Sequence, residues 1–368
     1  MSDQQTTPGV STPRASVHHA ASAAPARAHA ALLAWYAREG RSGLPWRATR
    51  DPYAILVSEV MLQQTQVERV IPKYHAFLAA FPTLTALADA ETADVIRAWA
   101  GLGYNMRAVR LQRIARQAQA EYDGRLPATL DGLLALKGVG RYTAGAVAAF
   151  AYGAQVATVD TNIRRTLWRL FRGIEPGAWP AGEAAARDAL ALAEWALPAG
   201  RAYDWQQALM DLGATVCVAR RPACERCPLR AECAAWAEVS AATLFPSGEA
   251  LARIRDERAG EGGAAEGAAR VAEGAAAYKA PARRARKSAQ PFTSTTRYFR
   301  GRIIAALRAL AAGEALTLGD LGPLVKAEYR AEDAPWLREL VSGLARDGLA
   351  RLTPDAAADD DALRVSLP

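Results

Sequence analysis

Four cysteines occur in the chain, spaced Cys217-x6-Cys224-x2-Cys227-x5-Cys233. Four thiolates gathered so tightly can surround one metal centre, supplied by a zinc knuckle or by an iron–sulfur cluster. Zinc ribbons more often pair two CxxC units. A single CxxC flanked by uneven loops favours a cluster. Arg220, Arg221, Arg226 and Arg230 thread these loops and can reach phosphate once the loops are fixed. A second group is Leu136-Lys-Gly-Val-Gly-Arg-Tyr-Thr-Ala-Gly145. Gly138 and Gly140 predict a hairpin between two helices, the second starting near Arg141. Its first amides have no partner within the helix and can hold a phosphate oxygen, aided by the helix dipole. About one helix further on, Asp160 follows Gln155-Val-Ala-Thr-Val159. It reads either as a helix N-cap or as a carboxylate that stabilises positive charge.

These residues require helices to position them. Helical periodicity runs from His29 to about Val239, and no stretch in it alternates as a strand. Val57, Val60, Met61, Val67, Val70, Ile71 and Tyr74 recur at three- and four-residue spacing, leaving Glu59, Gln63 and Gln66 off the core face. Breaks are predicted at Phe81-Pro82, Gly101-Leu-Gly103, Pro127, Gly138-Val-Gly140 and Pro176-Gly177. The resulting fold class is all-α. From Gly248 to Gln290 the chain turns to Ala, Gly, Glu and Arg, ending in the basic run Lys279, Arg283, Arg284, Arg286 and Lys287. This reads as a flexible linker. Beyond it, helices are expected at about 300–312, 317–326 and 332–346, then strands at 349–353 and 363–366. Three helices and a β-wing make a winged-helix shape.

The 368 residues suit two or three domains, and 51% apolar content supplies a core. The boundaries read as a disordered tail 1–27, a main helical domain 28–240, a basic linker 241–290 and a small domain 291–368. Net charge of +7 and pI of about 9.4 favour a polyanionic partner. Clustered cysteines do not form a secreted disulfide framework, so a reducing cytoplasm is the expected setting. The uncharged stretch Tyr142–Val159 is too rich in Ala and Gly for a membrane span, and residues 1–27 lack the apolar core of a signal peptide.

The motifs together resemble the helix-hairpin-helix superfamily of base-excision DNA glycosylases that includes endonuclease III, and most closely its adenine DNA glycosylases. The resemblance covers residues 29 to 236. It is densest at Leu44-Pro-Trp-Arg47, Asp51-Pro-Tyr53, Val57-Ser-Glu-Val-Met-Leu-Gln-Gln-Thr-Gln-Val67, Trp99-Ala-Gly-Leu-Gly-Tyr104 and Gln207-Ala-Leu-Met-Asp-Leu-Gly213. It implies a two-lobed helical fold with one [4Fe-4S] cluster on Cys217, Cys224, Cys227 and Cys233. The implied partner is double-stranded DNA carrying a mismatched or damaged pair, bound by a monomer.

The implied reaction is hydrolysis of the N-glycosidic bond of adenine opposite 8-oxoguanine or guanine. Cleavage through an oxocarbenium-like state needs a proton for the leaving base and a negative charge near the sugar. The family pattern gives the first role to Glu59 and the second to Asp160, with Asn162 in support. An apolar setting would raise the pKa of Glu59 and keep it a donor to adenine N7. The resemblance places Gln64 and Tyr104 in the opened duplex, and Trp46, Arg47, Leu62 and Gln207 around the adenine. Relatives that also cut the strand carry Lys where this chain has Tyr142, so a glycosylase without a strong lyase step is expected. Four departures stand out: Asn105 follows Tyr104 where a second Tyr is common, Lys137 replaces the commoner Pro, Thr161 stands between Asp160 and Asn162 where many adenine enzymes have Gly, and residues 291–368 do not match the family's Nudix-like C-terminal half. A thymine or uracil mismatch enzyme, an endonuclease III-like enzyme, and a silent DNA-binding protein share parts of this pattern.

Overall fold

The computed structural model describes residues 24–174, 182–244, 291–354 and 363–368. The Pro176-Gly177 break and nearly all of the linker, with its basic run, lie outside the described residues. Twelve helices make up the described part of the main domain. The first, α1 (Ala24–Glu39), begins inside the segment expected to be a disordered tail. Ala28 and Leu32 are fully buried, and Arg27 pairs with Glu232, so tertiary contacts order this turn.

Two apolar cores divide the domain. One is built on α2 (Pro52–Leu62), α3 (Val67–Ala80), α4 (Leu84–Asp89), α5 (Thr92–Ala98), α6 (Met106–Glu121), α7 (Leu130–Ala135) and α8 (Arg141–Tyr152). The other gathers α1 with α9 (Thr161–Phe171), α10 (Glu183–Trp195) and α11 (Ala202–Thr215), against which Cys217, Cys227 and Cys233 pack. The twelfth helix, α12 (Ala234–Leu244), follows the cysteine loop.

The expected one-sided stripe in 57–74 is corrected in two ways. Helix α2 is capped by Asp51, which accepts from the Tyr53 amide, and nine of its eleven residues are buried. It is enclosed on all sides, so Glu59 lies among the buried residues rather than on an outer face. The pattern also breaks between α2 and α3, where Gln64 adopts φ +57°. That turn frees backbone carbonyls, and Arg107 of α6 collects them. Its Nη1 donates to the carbonyls of Val60, Met61 and Gln63, and its Nη2 to Thr65 Oγ1 and the carbonyls of Leu102 and Gly103. Burial pushes the Arg107 guanidinium down to about 10, so it stays charged at neutral pH.

After the linker, α13 (Thr296–Arg308), α14 (Leu318–Val325) and α15 (Ala334–Arg346) surround a small sheet. Strands β1 (Leu316–Thr317), β2 (Arg351–Thr353) and β3 (Arg364–Ser366) pair antiparallel in the order β1-β3-β2, with Val365 opposite both Leu316 and Leu352. The first helix starts four residues earlier than periodicity suggests because Thr295 caps it through the Tyr298 amide. The strand at 316–317 was not visible in the sequence, being only two residues long. This unit's core is continuous with Ile96 and Val109 of the main domain. Among the described residues no helix is long and apolar enough to cross a membrane.

Replacing Arg107 by Met leaves several buried carbonyls without a donor and should cost about 3 kcal/mol. Urea unfolding measures it; an unchanged midpoint would show that the two loops hold themselves.

Candidate active site

A cavity of about 340 Å³ opens between the two lobes, and Glu59, Tyr142, Asp160 and Asn162 all line it. Trp46, Arg47, Leu62 and Gln207 line it too. Each comes from a different local device. Trp46 sits in a short 3-10 turn, Pro45–Arg47, and packs edge-on to Tyr74. Glu59 comes from the buried α2, and Tyr142 from the first turn of α8. Asp160 is the N-cap of α9, accepting from the Ile163 amide at 2.6 Å, so the cap reading and the functional reading fall on one residue. The stretch before it is not a helix; Thr158 and Val156 are tied instead to Gln206 of α11. Gly213 of α11 passes so close to α9 that an added Cβ would meet Asn162 Cβ at 2.7 Å.

The two carboxyl groups have unlike surroundings. Glu59 is only 7% exposed, and burial pushes its carboxyl up to about 7. A hydrogen bond with Tyr142 and the charge of Arg47 oppose that rise, while the nearby Asp160 charge adds to it. Burial leaves Asp160 above its ordinary value too, although the Ile163 and Asn162 amides, the Arg165 charge and the Asn162 side chain draw it back towards the ionised form. The Asn162 amide donates to Asp160 at 3.3 Å and is itself held by Arg165, whose Nη2 donates to Asn162 Oδ1 at 2.9 Å. The pair therefore has the asymmetry that separates a proton donor from a standing anion.

Sequence reasoning missed three groups that hold this site. Asp211, fully buried, accepts two bonds from Arg47 at 2.7 and 2.8 Å and two from Arg41. Burial alone would raise Asp211, yet the Arg47 hydrogen bonds and the Arg47 and Arg41 charges keep it below its ordinary value. Arg47 is thus a lining residue whose terminal nitrogens are already engaged. The second is Arg107, and the third is Arg165, whose Nε donates to the Cys217 carbonyl and so links Asn162 to the cysteine loop. Asp211 stood in the quoted Gln207–Gly213 motif; a long-range partner 164 residues away in sequence left no local signal.

Gln64 and Tyr104 lie outside the cavity on two exposed turns, both with left-handed backbones, φ +57° and +46°. Gln64 lines an adjacent open groove of about 860 Å³ with Arg141, Tyr142, Asp160 and Arg164. The hairpin between α7 and α8 stands where expected. Gly138 has φ +99°, and Gly140 is the N-cap of α8 with no side-chain cap, leaving that helix's first amides open. The four cysteine side chains line one further cavity of about 550 Å³ and form no disulfide. Among the described residues no three His, Cys, Asp or Glu are drawn together tightly enough to hold a single metal ion.

Residues 57–178 match the HhH-GPD superfamily base excision DNA repair protein model. The chain is 44% identical to the human adenine DNA glycosylase over 59% of its own length and 41% of that protein's. It is also 44% identical to the adenine DNA glycosylase of Mycolicibacterium smegmatis, covering 61% of this chain and 73% of that one. It therefore spans about two fifths of the human relative and nearly three quarters of the mycobacterial one. Among solved structures, a thermostable thymine-DNA glycosylase superposes with a TM-score of 0.52 at 29% identity, over 59% of this chain and all of that one.

The raised Glu59 value carries a stability consequence. The folded chain binds this proton more tightly than the unfolded chain, whose carboxyl titrates near 4.5. The advantage of the protonated form is complete below 4.5 and is lost as pH rises towards 7. Glu59→Gln should therefore stabilise the protein at pH 8 by up to roughly 3 kcal/mol, the gain shrinking towards pH 4.5. Thermal unfolding across that range checks it; a pH-independent difference would contradict burial as the cause.

Proposed function

Because the chain belongs to the HhH-GPD superfamily of base excision DNA repair proteins, in its adenine DNA glycosylase family, we propose that it removes adenine mispaired with 8-oxoguanine or guanine from duplex DNA. The observation that carries this reading is the buried Glu59 facing the same cavity as the capped Asp160. A base in a duplex must leave the stack before such a cavity can take it. Gln64 fills the vacated space and Tyr104 wedges beside the opposite base; an amide and an aromatic ring suit those tasks. The open amides at Gly140 and Arg141 hold a backbone phosphate.

In the cavity the protonated Glu59 gives its proton to adenine N7, and the C1′–N9 bond breaks with its electrons going to the base. Asp160, held ionised by Asn162 and the Ile163 amide, stabilises the cationic sugar. Water then adds to C1′, its proton returning to Glu59, which leaves free adenine and an abasic site. Arg47, fixed by Asp211, and Trp46 shape the wall against which the base stacks. Tyr142 hydrogen-bonds Glu59 from the position where a Schiff-base lysine would stand, so no amine attacks the sugar.

We place one [4Fe-4S] cluster on Cys217, Cys224, Cys227 and Cys233. A cavity lined by all four thiols suits a polynuclear group better than a point ion. Bound there, the cluster would stiffen the loop whose Cys217 carbonyl anchors Arg165. The unit from α13 to β3 is read as a winged-helix-like domain joined through the linker.

Single-turnover release from duplexes carrying A:8-oxoG, A:G, T:G and U:G tests the reading. Adenine should leave, and Glu59→Gln should slow release at least about 100-fold. Release of thymine or uracil alone would move the chain to a different substrate on the same fold. Borohydride should trap little covalent adduct, and efficient trapping would contradict the role given to Tyr142.

A further inference from the structure

The C-terminal unit docks on the main domain beside the turn that carries Tyr104. Ile303, Ile304 and Leu307 of α13 share one apolar core with Ile96 of α5 and Val109 of α6. Two polar ties reinforce this contact. Arg308 Nε donates to the Ile96 carbonyl at 3.0 Å and its Nη2 to Asn105 Oδ1 at 2.8 Å. Arg97 Nη2 reaches the Leu310 carbonyl at 3.4 Å. Asn105 stands directly after Tyr104, so Arg308 grips the turn at its base. At the other end of α13, the Arg297 guanidinium lies 4.0 Å from the centre of the Tyr104 ring. Arg107 approaches the same ring at 5.6 Å from within the main domain.

Tyr104 needs such support. Its φ of +46° is disfavoured for a bulky residue and persists only where surroundings hold it. The residue is nonetheless 42% exposed, so it is not enclosed by apolar packing. A cation over the ring face supplies a directional hold that still leaves the edge free. The Arg308 guanidinium, which burial pushes down, spends its two observed bonds on neutral acceptors, so its placement is specific to this contact.

We propose that the C-terminal unit is a positioning device for Tyr104, with Arg308 fixing the turn through Asn105 and Arg297 fixing the ring. This rests on the reading of Tyr104 as the residue that wedges into the duplex. Arg297 and Arg308 are positioning residues; neither touches the reacting atoms. Removing the hold lets the ring leave its inserting orientation. The consequence is poorer unstacking beside the opposite base, and with it a weaker response to what that base is.

The test uses the full chain and a duplex with 2-aminopurine next to the base opposite the target, whose fluorescence rises when a wedge unstacks it. Wild type should raise the signal on binding. Arg297→Ala and Asn105→Ala should each remove at least about half of the rise and slow adenine release roughly tenfold or more. Arg297→Lys, which keeps a cation on the ring, should restore most of the signal. Arg297 is exposed, so its variants fold even where an Arg308 variant does not. An unchanged rise and unchanged rates in both alanine variants would overturn the proposal, as would the absence of any rise with wild type. The fluorescence reads binding alone. A normal rise without adenine release would overturn the proposed chemistry and leave this positioning role standing.

Discussion

An ionised carboxylate loses several kcal/mol of hydration on burial unless partners replace the water. Here two carboxyl groups share one cavity. The cost is met differently at each. Asp160 is partly compensated by backbone amides at the start of α9, by Asn162 and by Arg165. Glu59 has only the Tyr142 hydrogen bond and the Arg47 charge in its favour, and burial still pushes its carboxyl up to about 7. Glu59 sits on a helix enclosed on all sides, so water is kept from it on the side away from the cavity. Much of the surrounding structure can be understood as maintaining this inequality.

Three charges, two of them buried and the third half-buried, tie the elements that form the cavity. Asp211 on α11 fixes the Trp46–Arg47 turn from the opposite lobe, across a sequence distance of 164 residues. Arg107 holds the turns bearing Gln64 and Tyr104 to one guanidinium, so the two exposed residues share an anchor with the end of α2. Arg165 runs from Asn162 to the cysteine loop. Breaking any of them strands a buried charge or a set of carbonyls, which is more damaging than losing a surface pair. In this way a small cavity between two lobes acquires a fixed shape although no single helix contains it.

The sequence carried the local part of this account. Gly138 and Gly140 marked the hairpin, the cysteine spacing marked one cavity, and Glu59 and Asp160 were identified through motif context. Periodicity misled at α2, because a stripe rule presumes one solvated face and this helix has none. It also ran through Gln63–Gln66, where the carbonyls freed by the break are held by Arg107, over forty residues away. The short strand Leu316–Thr317 exists only through pairing with β3. Asp211 and Arg308 were invisible for the same reason: their meaning lies in partners brought close by folding. Local chemistry was legible; the long-range polar ties were not.

The central claim is that Glu59 holds its proton well above the ordinary carboxylate range, so that a neutral acid is present near pH 7. Carbon-13 NMR of the labelled side-chain carboxyls, with Glu59→Gln to assign the resonance, reads this directly. The account predicts one carboxyl titrating at about 7 in wild type that is missing from the variant. A Glu59 resonance titrating near the ordinary 4.5 would contradict it, since the residue would then be an anion with no proton to give at neutral pH.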